Sequence, residues 1–207
     1  RFAFIFFWIY GLQCWAGTTE FSYYIDMASN NKLDMNARWR ALIKAGDLTS
    51  VGVNSKQINQ IKFFSSDKDW YMRNASLIAL AKINSIEATV EAKKLLNDKS
   101  LVVRSAAVDI LAKSLTAEHK KILAEEFNKP YNFHKKSSLW IRKQIIEKLI
   151  LFADIKDRHF FVKSLFDSDV EIAQLSAKAL EKITGQQVGD IKFVEKWQSI
   201  VKKNNWL

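Results

Sequence analysis

Cysteine, proline, histidine and glycine are all scarce in this 207-residue chain, at one, one, three and six residues. The single cysteine, Cys14, excludes an intrachain disulfide. It also lies in an N-terminal stretch expected to be removed, which leaves no thiol nucleophile and no thiolate metal site. The histidines, His119, His134 and His159, follow no zinc-protease spacing, and each is read as a surface or loop residue. The glycines are scattered, so neither a Gly-rich phosphate loop nor a Gly-x-Ser-x-Gly elbow is present. No catalytic residue, metal ligand or cofactor is assigned. With no disulfide framework, the fold rests on its core. The 48% apolar composition supplies that core, and about 190 residues suffice to bury one.

What the chain has in abundance is self-similarity. The segment from Asp67 to Ile83 opens on an acid and continues with apolar residues at helical spacing. Versions of it recur from Asp98, from Ser137 and from Asp167, and a fainter one runs from Asn31 to Ala45. In this register Asn31, Asp69, Ser100, Ser138 and Asp169 share a column, and all are residue types that cap helix N-termini. Leu42, Leu80, Leu111, Leu149 and Leu180 share a second column, on the face a helix buries. Lys44, Lys82, Lys113 and Lys182 follow near the helix ends, where a cation offsets the dipole. Arg73, Arg104 and Arg142 share a column near the start, with Met35 and Ala173 as the departures. A period in this range is the mark of stacked helical repeats.

These residues resemble HEAT repeats. The spacings of 38, 31, 38 and 31 look closest to the short HEAT-like variety of the phycobilin lyases. The resemblance covers residues 31 to 204. It implies an all-α, right-handed α-α superhelix of about five helix pairs, used as a non-catalytic protein-binding scaffold. Two enzyme readings also come with it, a chromophore lyase and a HEAT-like DNA glycosylase, but the sequence supplies a catalytic constellation for neither.

In chain order, one basic residue and eleven apolar ones (Phe2 to Leu12) lead to the small-residue exit Cys14-Trp15-Ala16. That pattern predicts a signal peptide over 1–17, extending further upstream because no Met precedes Arg1. A lipid anchor on Cys14 and a retained membrane anchor or core helix are the alternatives. Export implies a periplasmic protein of a Gram-negative envelope, expected to be a monomer. Residues 18–30 are either a cap over the first repeat or a short lead. Gly46 to Ser55 is read as a loop by its Gly, Asn and Ser content. Helix pairs are expected at Trp70–Ile83 with Ile86–Leu96, Leu101–Leu115 with Ala117–Phe127, and Leu139–Phe152 with Ile155–Phe166. The repeats run to residue 189. A final helix over 190–207, capped by Asp190 and carrying Trp197 inward, is expected to close the array.

Charge supplies the functional lead. Thirty-two basic residues against 22 acidic ones give a net +10, which attracts nucleic acid, anionic lipid or an acidic protein. The segment 128–137, where seven extra residues stretch the spacing from 31 to 38, contains the only proline, Pro130, and no acid. In solenoids, insertions map to loops, often on the binding face. Tyr131, Phe133, Lys135, Lys136 and Lys143 are therefore the candidate contact set, with an acidic protein as the expected partner. Arg142 has a structural alternative: it shares the Arg73 and Arg104 column, which suits binding to a neighbouring repeat's acid or carbonyl. The alternative is a module for nucleic acid or an anionic surface, since aromatics among basic residues suit single strands. Export argues against the nucleic acid.

Overall fold

The structure, a computed structural model, describes residues 20–48, 54–113 and 116–207. The proposed leader and Cys14 lie outside the described residues. The fold is all-α, and among the described residues the one sheet is a hairpin of two two-residue strands. The chain divides into two compact units, Arg1–Ile110 and Leu111–Leu207. None of the described helices is long and apolar enough to cross a membrane.

In the first unit, α1 spans residues 20–29, where the sequence left cap or lead open. It buries Phe21, Ile25 and Ala28, one face at helical spacing. Helices α2 (Met35–Asp47), α3 (Ser55–Phe63), α4 (Trp70–Ile83) and α5 (Ser85–Leu95) follow. Asn54 and Gln57 close a capping box on α3, and Asn84 both ends α4 and caps α5. Helices α2 and α4 run parallel, because their like ends meet. Arg38 near the start of α2 reaches Asp69 before α4, and Asp47 at the end of α2 pairs with Lys82 at the end of α4. Helix α3 makes the return between them. Helix α6 (Leu101–Lys113) crosses the division between the units.

The second unit contains α7 (Ala117–Phe127), α8 (Trp140–Leu151), α9 (Arg158–Ser164), α10 (Val170–Thr184) and α11 (Phe193–Lys203). Lys182 of α10 donates to the carbonyls of Ile150 and Leu151 at 2.7 and 2.9 Å. It thus offsets the dipole of the neighbouring helix as well as its own. Gly185, at φ 72°, ends α10 in the left-handed conformation that glycine adopts without penalty. Trp197 and Val201 of α11 are fully buried.

An arginine–aspartate device recurs beside the helix starts. Asp67, Asp98 and Asp167 each accept the N–H two residues on, at Asp69, Ser100 and Asp169. Each also receives the arginine of the preceding helix pair: Arg38, Arg73 and Arg142 respectively. The arginine gains a fixed partner and the aspartate organises the turn that admits the next helix.

Several expectations are corrected. Asp34, not Asn31, caps α2, accepting from Ala37 N at 2.9 Å. Moving the register by three puts Arg38 in the arginine column in place of Met35. The shift is hard to see because three residues nearly complete a helical turn, so Leu42 is buried in either register. Leu139, not Ser138, precedes α8. Lys192, not Asp190, precedes α11, at φ 53° and without a side-chain cap. Gly46 belongs to the last turn of α2 rather than to a loop. His119 is buried in α7, not on the surface.

Candidate functional site

The insertion folds as a small anchored hairpin. Pro130–Asn132 form a 3-10 turn, and Phe133–His134 then pair antiparallel with Ser137–Ser138. Between the strands, Lys135 and Lys136 sit at φ 47° and 70°. Two consecutive left-handed residues closing a two-residue loop make a type I′ turn, whose twist suits the flanking strands. Lysine replaces the Asn-Gly usually favoured there. Both lysines are exposed, so two positive charges stand side by side at the tip.

The base of the hairpin is fixed by burial. Asn132 is fully buried, and its Nδ2 donates to the carbonyl and to Oε1 of Glu126, at 2.8 and 3.2 Å. Leu139 N donates to Asn132 O at 3.0 Å, which brings the two ends of the insert together. The Tyr131 hydroxyl donates to Glu126 Oε2 at 2.9 Å, while the residue stays 36% exposed.

Arg142 is the main rivet. Only 1% exposed, its guanidinium lies 4.2 Å from the Phe127 ring centre and 4.3 Å from that of Phe133. Its donors reach the Phe127 carbonyl, Ser138 Oγ, Asn128 Oδ1 and both oxygens of Asp167. A planar cation can satisfy two ring faces and an in-plane fork together; an ammonium cannot. One residue therefore joins α7, the hairpin, α8 and the turn before α10.

Of the candidate contact residues, Tyr131, Phe133, Lys135 and Lys136 come together on the hairpin and its entry. Lys143 stands apart on α8, where its Nζ pairs with Glu171 of α10 at 3.0 Å. The hydrogen bond and charge of Glu171 hold this ammonium above its ordinary pKa. Asn132 and Glu126 escaped sequence reasoning. A polar residue after Tyr131 gives no hint that it is buried, although Asn inside an insertion is a common turn former.

Open grooves lie elsewhere among the described residues. One, of about 560 Å³, runs between α1 and α3 beside Ile25, Phe63 and Phe64. Another, of about 660 Å³, lies between α10 and α11 and mixes acids with lysines. Among the described residues no three His, Cys, Asp or Glu side chains gather as a metal site. Compared with known proteins, the chain matches no family model and no curated protein.

Proposed function

We propose that the chain is a non-catalytic scaffold of the HEAT-like kind, acting in the cell envelope. Its basic hairpin captures an acidic segment of a partner protein. The observation that carries this reading is the lysine pair on the type I′ turn, held rigidly by Arg142. A tip whose backbone is already ordered loses less entropy on binding than a mobile loop does. Exposed lysines steer an acidic partner and add specificity more than raw affinity.

The rival is binding to nucleic acid or an anionic surface, favoured by the net +10. Single-strand binding draws on stacking at free aromatic faces. Here the Phe133 ring is already covered by Arg142 and the Tyr131 hydroxyl is tied to Glu126. That commitment favours protein. The test is fluorescence anisotropy with a labelled Glu-rich peptide and an oligothymidylate of equal charge, across a salt series. The reading expects peptide binding that weakens with salt and falls in the Lys135→Glu/Lys136→Glu protein. Tighter binding of the oligothymidylate, or a peptide signal unaffected by the reversal, would overturn it.

A further inference from the structure

An apolar edge follows the hairpin at the starts of two parallel helices. Trp140 is the first residue of α8 and is 50% exposed; Val170 is the first residue of α10 and is 67% exposed. Both sit where a helix begins and a polar residue would cost nothing. Trp140 stands two residues after Ser138, the last residue of the hairpin. The Lys143–Glu171 pair links the first turns of α8 and α10, three residues after Trp140 and one after Val170. Lysines at the tip and a half-exposed tryptophan at the base thus share one end of the second unit.

A half-exposed tryptophan beside a rigid charged loop has the character of an interface anchor, since tryptophan and arginine dominate hot spots while lysines contribute mostly at the rim. We propose that Trp140 and Val170 form the apolar half of the binding surface, and that the partner is an acidic peptide carrying a large apolar residue. The acids meet Lys135 and Lys136, and the apolar side chain packs on Trp140 against Val170. The charge of the tip fixes the occupant as acidic, and the adjacent edge fixes it as amphipathic. This deepens the proposed function and rests on it. In the first unit, the same helix position carries Met35 and Trp70, 47% and 43% exposed. No dibasic turn accompanies them in sequence, so Trp70 is the internal control.

The experiment uses two labelled peptides of equal acidic charge, one with Leu and Phe among the Glu residues and one with Ser in their place. The apolar-bearing peptide is expected to bind about tenfold tighter, the scale of a single anchor. Trp140→Ala and, separately, Val170→Ser should reduce that advantage, with Trp140→Ala removing most of it. Trp70→Ala should leave it intact. Both exposed-site variants are checked for native helical content by circular dichroism. Equal binding of the two peptides by wild type would overturn this inference while leaving the acidic-partner reading in place. An advantage that survives both Trp140→Ala and Val170→Ser would do the same. Absence of binding by either peptide would sink both. An oligothymidylate that binds tighter than both peptides, and loses affinity in Trp140→Ala, would assign the edge to base stacking instead.

Discussion

Arg73 and Asp98 meet as a two-pronged pair, Nε to Oδ2 at 2.6 Å and Nη2 to Oδ1 at 2.7 Å, across 25 residues of sequence. Both are shielded, with side chains 14% and 6% exposed. Asp98 also accepts Ser100 N at 2.7 Å. Removing one partner leaves a shielded charge alone, a larger loss than the pair is worth intact. Asp98→Ala is expected to cost about 3 kcal/mol, read as a lower urea midpoint. A shift smaller than that of an exposed control such as Lys121→Ala would show the pair to be unimportant.

Gly46 is a second sensitive point. A methyl group there would lie 2.9 Å from the Ala79 backbone Cα and 3.0 Å from its Cβ, on the facing helix α4. Neither atom can swing aside as a long side chain does. Although alanine is the better helix former, Gly46→Ala is expected to destabilise the chain by about 1–3 kcal/mol, the range for overpacking. A stabilising effect in thermal denaturation would mean the two helices part easily.

The hairpin tip carries a backbone cost. Left-handed geometry costs a non-glycine residue roughly 1–2 kcal/mol. Lys136→Gly alone should therefore raise stability by about 1 kcal/mol, and slow hydrogen exchange at Leu139, whose N–H closes the base. Its affinity for an acidic peptide should fall, since a charge is lost. Stability and binding moving in the same direction would contradict the assignment of a contact role to this lysine.

Glu91 links stability to pH. Burial alone raises its carboxyl pKa. Hydrogen bonds from Lys94 and Ser65, with the charges of Lys94 and Lys62, overcome that and hold the group below its ordinary 4.5. A depressed folded value contributes stability that is present above the unfolded pKa and lost as pH falls through the folded one. Wild type should thus exceed Glu91→Gln in stability at pH 7, and the gap should close below pH 4.5. Urea midpoints for both proteins from pH 7 down to about pH 3 measure this; a constant gap would assign the difference to packing.

The leader expectation has its own test. Expressed behind a start codon in a Gram-negative host, the chain should reach the periplasm about 16 residues shorter, as signal cleavage requires. Mass spectrometry of the mature N-terminus decides between that and a retained anchor.

Much of the helical plan was legible because the helices are periodic. Observed α4, α5, α7 and α8 lie within one residue of the expected bounds, and Leu80, Leu111, Leu149 and Leu180 are buried. For Arg142 the structural alternative was legible in its column, and the side chain holds both an acid, Asp167, and a carbonyl, that of Phe127. Legibility failed where one residue type serves two purposes. Asp69 stands at a cap position, yet its carboxylate binds Arg38 and Tyr71, with no cap bond from the side chain. Gly46 looked like a loop because close helix packing demands the same residue as a turn. The type I′ turn was hidden because Lys-Lys carries no turn signature; the register of Phe133 against Ser138 creates it. The lysine tip was recognisable by charge, but its fixation depends on Asn132, Glu126 and two ring faces that only tertiary packing assembles.

The short distance across the base of the hairpin has an evolutionary consequence. Because Leu139 N and Asn132 O are 3.0 Å apart, the intervening residues leave the helical framework and return to it at nearly the same place. Such a segment is a cassette. Its length and charge can drift between lineages without re-registering α7 against α8, provided Arg142 keeps its seat. The charge of the tip can then change by exchanging the codons of Lys135 and Lys136, while Phe133 and Ser138 within the same segment stay tied to Arg142 and so to folding.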